Sequence, residues 1–184
     1  MLRGTRLHLL LEHLPAHAPG DWPSVGRALL AGAEGGLPDG PELVELLEEA
    51  RQILTAPALA EVLRPPEGAQ VLSEVALTAP LTGLGTLNGV IDRLIVTAAA
   101  VTAVDYKTNT DVPASPEDVP LGILRQMAAY RAALRAIWPN RDVRVLVLWT
   151  ASRSVMPLPD LLLDRTMAAL LPGVAPLDHA PAAP

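Results

Sequence analysis

The sequence predicts an α/β fold in which a mixed central sheet is flanked by helices and preceded by a mainly helical third. Three observations lead there. Apolar residues recur at helical spacing as far as the Pro65-Pro66 pair. The period then drops to two in three segments between Val71 and Lys107. The longest helical pattern, Leu121 to Trp138, separates these segments from a further β-rich apolar run, Val143 to Trp149. Helical patterns on both sides of strand patterns, with one between them, describe a layered α/β domain.

In chain order, Thr5 to Leu14 reads as a helix whose leucines at 7, 10, 11 and 14 form one apolar stripe. Asp21-Trp22-Pro23 resembles a cap followed by an early proline and opens a second, short helix. GGLPDGP is a loop. Pro41 starts the strongly helical PELVELLEEARQIL, which stops before Pro57, and a short helical piece follows from Pro57 to Leu63. Val71–Leu77, Val90–Val96 and Val101–Lys107 alternate as strands, with Ala98–Ala100 as a spacer between the last two. This places a meander at the start of the sheet. Pro113 to Pro120 is a loop, and Pro139 with Asn140 closes the long helix. Val155 to Leu158 reads as a short edge strand, and Asp160 caps a last helix to about Leu171. No internal repeat is present. The expected organisation is one domain over 1–172, mainly helical over 1–66, with a flexible Ala/Pro-rich tail over 173–184.

Composition narrows the function classes. Half of the 184 residues are apolar, enough for a full core, and the absence of Phe leans that core towards small aliphatic packing. There is no cysteine. A disulfide framework, a thiolate zinc site and an iron–sulfur cluster are therefore excluded. No apolar segment is long enough to span a membrane, and His8, Glu12 and His13 interrupt the short apolar run that could pass for a signal peptide. The expectation is a soluble cytoplasmic protein. The net charge of −6 argues against a general nucleic-acid binder. Yet Arg125 to Arg153 holds six arginines against the single acid Asp142, which permits a local phosphate-binding face as well as ordinary solvated surface.

The chemistry concentrates in two adjacent strands, GVIDRLIV and VTAVDYK. In a hairpin without a bulge, a symmetric turn centred on Ala98 and Ala99 sets Asp92 directly opposite Asp105. Cβ atoms so placed lie roughly 4.5–5.5 Å apart, and two like charges there are destabilising unless a positive charge intervenes. Asp105 and Lys107 share a face, because strand side chains alternate, while Tyr106 points away. Lys107 is the only lysine of the chain; the other basic residues are all arginines. Two readings fit the spacing alone: a buried Asp–Lys ion pair beside a second acid, or a hard-metal site with a compact ammonium beside it.

Together, GVIDRL, VDYKTN and QMAAY, in that order and spacing, resemble the PD-(D/E)XK nuclease superfamily and, within it, the RecB-like group. The likeness is greatest to the C-terminal nuclease domain of AddA-type helicase–nuclease subunits of bacterial double-strand-break repair. It runs from about Arg3 to Asp164 and includes LRQMAAYRAALR and LWT. The resemblance implies a restriction-endonuclease-like fold. It also implies Asp92 and Asp105 as catalytic metal-binding acids, although the proline of the family's name is absent. Lys107 becomes the catalytic lysine that positions or activates the attacking water. The Tyr106 backbone carbonyl and His8 become further metal ligands. Gln126 and Tyr130 match a QxxxY motif, four apart on one helix face, able to reach the site or the DNA backbone. Arg125 and Arg131 would help to hold the strand, and Glu74 is a further candidate site acid. Glu12 shares a face with His8; His13 and His17 match no role.

The activity so implied is Mg²⁺-dependent (Mn²⁺ as substitute) hydrolysis of DNA phosphodiester bonds in homologous recombination, as an exonuclease without an iron–sulfur cluster. The implied partners are single-stranded DNA at the site, a helicase domain on the same parent chain and an AddB-like subunit, with no membrane. With its one lysine at 107, this stretch carries no phosphate-binding GxxxxGK[ST] loop of its own. It therefore reads as a nuclease domain without its motor. A free-standing RecB-like exonuclease of a phage or defence system, and a non-catalytic DNA-binding scaffold on the same fold, remain as alternatives.

Overall fold

Leucines at 7, 10, 11 and 14 bury one side of the first helix, α1 (Leu2–His13), which continues into a 3₁₀ turn at Leu14–Ala16. They pack against α2 (Trp22–Gly32) and α3 (Pro41–Thr55), whose Leu30, Leu43, Leu46, Ala50 and Ile53 are buried in the same cluster. Arg3 and Arg6, one turn apart, pair with Glu49 and Glu42 of α3 at 2.6 and 2.9 Å. Burying each leucine contributes about 1.5–3 kcal/mol, an ion pair with at least one exposed partner about 1 kcal/mol, so the leucine stripe decides where α1 lies. His8, on the flank of that stripe, is thereby held against the sheet. A 3₁₀ turn at Pro57–Leu59 and the one-turn α4 (Ala60–Leu63) close the helical part. The computed structural model describes residues 2–33, 36–81 and 83–170. The tail expected over 173–184, and the expected end of the last helix at Leu171, lie outside the described residues.

Five strands follow in the order β1-β2-β3-β4-β5. β1 (Gln70–Leu81), β2 (Gly85–Val96) and β3 (Ala100–Lys107) form the expected antiparallel meander. α5 (Leu121–Ile137) then crosses over, β4 (Asp142–Trp149) returns parallel to β3, and the four-residue β5 (Ser154–Pro157) pairs antiparallel with β4. α6 (Asp160–Ala168) packs on α5. The sheet is mixed, as the sequence predicts, with α1–α4 on one face and α5–α6 on the other. Among the described residues no helix is long and apolar enough to cross a membrane.

Two details depart from the expected outline. The β1–β2 hairpin is longer at its far end: Pro80 pairs with Thr86 and Leu81 with Gly85, a stretch whose proline and glycines conceal the strand period. Proline is tolerated there because β1 is an edge strand, with one side free of ladder bonds. The second departure is a change of face within the hairpin. Ile95 joins the α1–α3 core, and Arg93, 4 % exposed, donates to the carbonyls of Val62 and Leu63 at 3.0 and 3.2 Å. Leu77, Ala79 and Ile91, closer to the hairpin tip, face the α5 core instead, as does Leu94. The alternation therefore slips between Ile91 and Leu94. Opposite that slip, Glu74 has φ 49°, a left-handed backbone uncommon outside glycine. The kink sits at Glu74 and Asp92.

Candidate active site

The β2–β3 turn is tight. The Thr97 N–H donates to the Ala100 carbonyl at 2.9 Å, and the Ala100 N–H to Thr97 Oγ1 at 2.9 Å. It sets Val96 against Val101 and Arg93 against Val104, the register inferred from a turn centred on Ala98 and Ala99. The ladder ends there. The next pair in that register is Asp92 and Asp105, and the Asp92 carboxylate bridges the gap by accepting the Tyr106 N–H at 2.5 Å. On the other side of β2, Ser73 pairs with Arg93 and Val75 with Ile91, which leaves Glu74 across from Asp92. Glu74, Asp92 and Asp105 thus form a row across three adjacent strands at the kink, where backbone pairing is interrupted on both sides of Asp92.

His8 of α1 completes one end of this row. Its Nδ1 lies 3.7 Å from Asp92 Oδ1, and its ring meets the Tyr106 ring edge-on at 5.6 Å between centroids. One ligating atom from each of His8, Glu74 and Asp92 lies within 4.8 Å of the others, spacing that one metal ion can bridge. Asp105 stands apart from this trio. It is 3 % exposed, and its Oδ2 is 2.6 Å from Lys107 Nζ, an ion pair without hydrogen-bond alignment. A groove of about 560 Å³ runs over the cluster, lined in part by Thr5, His8, Glu12, Lys107, Thr108 and Asn109.

The electrostatics of the cluster suit a positive charge. Burial pushes the Asp105 carboxyl up, and Lys107 opposes this only in part. Burial also raises Glu74, followed by repulsion from Asp92 and Glu12, with His8 opposing. For His8, burial favours the neutral ring, but the Asp92 carboxylate and the charges of Asp105 and Glu74 outweigh it and raise the pKa. Tyr106 is pushed up to about 12, chiefly by burial, and stays a neutral phenol. Crowded acids that hold protons tightly, beside an imidazole, are a donor set that suits a divalent cation.

A pH prediction follows from these directions. The raised Glu74 and Asp105 destabilise the fold progressively as pH rises above the ordinary carboxylate range through their raised values. The stabilisation from His8 is full below its ordinary 6.5 and is lost as pH rises through its raised value. All three act in one direction, so without metal the melting temperature should rise between pH 8 and pH 5.5. A divalent cation competes with those protons, so the increase it causes should be larger at pH 8 than at pH 6. Melting curves with and without Mn²⁺ test this; an increase independent of pH contradicts it.

Lys107 is held from two sides. Its backbone carbonyl accepts from the Thr150 N–H at 3.0 Å and from Thr150 Oγ1 at 3.3 Å. Its Nζ lies 3.4 Å from Gln126 Oε1. Gln126 Nε2 donates to the Tyr130 hydroxyl at 3.0 Å, and that hydroxyl donates to the Val90 carbonyl at 2.8 Å. Gln126 therefore meets the site directly, whereas Tyr130, 2 % exposed, has its hydroxyl committed inside the protein and out of reach of a DNA backbone.

The two arginines of α5 diverge. Arg125 is exposed and pairs with no acid among the described residues. Arg131 does not match the strand-holding role expected of it: it is 4 % exposed and bonded to Asp160 and Asp164 of α6, so it ties two helices together. His13 pairs with Glu12 at 3.6 Å, and the His17 carbonyl accepts the Trp22 indole N–H; neither histidine lines the groove. Glu12 does line it. Thr150 is a contributor that sequence reasoning passed over. Its only signal was its place in LWT, directly after the strand that pairs with β3.

The family described as the PD-(D/E)XK nuclease superfamily matches this chain over residues 2–157. No curated protein matches it. With that family spanning nearly the whole described fold, the chain belongs to the PD-(D/E)XK nuclease superfamily.

Proposed function

We propose that this member of the PD-(D/E)XK nuclease superfamily is a metal-dependent deoxyribonuclease that hydrolyses phosphodiester bonds, acting as an exonuclease. The observation that supports it most is the acid row Glu74–Asp92–Asp105, with His8 at one end and the sole lysine at the other. His8, Glu74 and Asp92 would hold the ion, with Asp105 and the Tyr106 carbonyl as further donors. Carboxylates suit Mg²⁺ and Mn²⁺, and the imidazole favours admitting Mn²⁺. Such an ion, when bound, polarises a phosphoryl oxygen and acidifies water.

The chain's own residues supply the rest. Lys107 presents a compact ammonium beside Asp105, where it can orient the attacking water or stabilise charge that grows on the phosphate. In the reaction, water oxygen bonds to phosphorus, the bond to the leaving sugar oxygen breaks, and that oxygen takes up a proton. Thr108 and Asn109 offer hydroxyl and amide groups along the groove, suited to a backbone but not to reading sequence.

Among the described residues Lys107 is the only Lys or Arg side chain lining that groove. A net charge of −6 adds no general attraction for DNA. This favours a domain to which the strand is delivered. With the likeness of GVIDRL, VDYKTN and QMAAY, it supports the nuclease domain of an AddA-type subunit in double-strand-break repair. Such a domain is served by a helicase domain of the same parent chain and an AddB-like subunit. The test is cleavage of end-labelled single-stranded DNA in Mg²⁺ or Mn²⁺, with a duplex and a chelator as controls. Metal-dependent release of short products from the single strand is expected. No cleavage in either metal, with the fold intact by circular dichroism, contradicts the enzymatic reading.

A further inference from the structure

Gly89 lies in β2, three residues before Asp92, and makes no contribution to the chemistry described so far. Its lack of a side chain is nevertheless put to use. A Cβ built there would stand 2.6 Å from Tyr130 Cε1 and 2.7 Å from the Tyr130 hydroxyl oxygen, closer than non-bonded atoms approach. Its φ lies outside the left-handed region, so the requirement is for space and not for backbone freedom.

The tyrosine cannot easily yield. It is fully enclosed between α5 and the sheet, and its hydroxyl is bonded on both sides, to the Val90 carbonyl and to Gln126. Those bonds also orient Gln126. With its Nε2 spent on the tyrosine hydroxyl, its Oε1 is the atom that faces Lys107 Nζ. The tyrosine lies flush on the β2 backbone only because residue 89 has no Cβ. β2 and α5 thereby fix the amide oxygen that accepts from the ammonium, and Asp105 on β3 supplies its countercharge.

We propose that Gly89 is a positioning residue for Lys107, acting through Tyr130 and Gln126. It rests on the nuclease reading for its consequence in catalysis, but not for the linkage itself. A Gly89→Ala substitution lifts the Tyr130 ring, turns Gln126 and releases the ammonium from its amide acceptor, leaving only the Asp105 countercharge. Displacements of about 1 Å can lower turnover up to a hundredfold.

Because Lys107 is the only lysine, protein labelled with ¹⁵N-lysine carries one side-chain ammonium resonance. That resonance reads the linkage without any activity. In the parent it should be sharp and dispersed. In Gly89→Ala and in Tyr130→Phe, which keeps the ring and loses only the hydroxyl, it should shift or broaden. Turnover on single-stranded DNA should fall about tenfold or more with KM held within about twofold. The heat of Mn²⁺ binding should be unchanged. If Gly89→Ala fails to fold, adding Tyr130→Leu should restore the fold and leave the resonance displaced. A resonance that coincides with the parent's in the folded variants overturns the proposal, whatever happens to activity. So does a double variant no better folded than the single one. A displaced resonance in a chain that cuts no DNA upholds the linkage and removes the nuclease reading.

Discussion

Replacing Asp92 with asparagine is expected to lower metal-dependent cleavage on the order of 10³-fold while the melting temperature stays within about 3 °C. The two halves of this expectation come from the same carboxylate. One oxygen, Oδ2, accepts the Tyr106 N–H and closes the sheet where the β2–β3 ladder stops; an asparagine Oδ1 can take that bond over. The other, Oδ1, faces His8, and the residue belongs to the only His8–Glu74–Asp92 grouping of ligands among the described residues. Removing its charge takes away the centre of the proposed metal site and at the same time relieves repulsion with Glu74. The fold is kept and the ligand is lost. Calorimetry with Mn²⁺ should show the binding heat largely gone. Cleavage within tenfold of the parent, with metal still bound, would move the centre of the site away from Asp92.

The central pairing was legible because it follows from strand geometry alone. A two-residue turn between Thr97 and Ala100 leaves one register, which holds as far as Arg93 and Val104 and brings Asp92 and Asp105 to the point where the ladder stops. The helices, the meander and the strand over Val143 to Trp149 were legible for a similar reason: each has a clear period bounded by proline, glycine or a cap. Glu74 was harder to place. In VLSEVAL it has the position of a solvent-facing strand residue, and only its opposition to Asp92 and the left-handed backbone at the kink turn it into a third acid of the row. Long-range partners were not legible at all. Arg125 and Arg131 share a helix and a residue type, yet one is exposed while Asp160 and Asp164, far along the chain, engage the other. Gln126 and Tyr130 share a helix face as their spacing requires, but which of them meets the site depends on Gly89 and Val90, which no helical period reveals.

Replacing Lys107 with arginine is expected to keep the fold and lower cleavage on the order of 10²-fold, whereas alanine should cost both activity and stability. Spacing alone left two readings of VDYK, a structural Asp–Lys pair or a metal site with an ammonium beside it; the resemblance adds a catalytic role for that ammonium, and this pair of variants tests it against a structural countercharge. Asp105 is buried and Lys107 Nζ is 2.6 Å from it, so alanine strands a buried carboxylate. That should cost about 2–3 kcal/mol, somewhat below the figure for a fully enclosed pair because Lys107 is partly exposed. The sign with pH is fixed. Burial already raises the Asp105 pKa and Lys107 partly restrains it, so without the lysine the carboxyl holds its proton to still higher pH. The deficit of the alanine variant should therefore shrink as pH falls and Asp105 takes up its proton, and grow towards pH 8. Arginine restores the countercharge and removes most of that deficit. It cannot restore a point charge shared between Asp105 and Gln126, because its donors are spread over a planar fork. If the arginine variant cuts at the parent's rate, Lys107 is a countercharge only, and the attacking water must be oriented by another group of the groove.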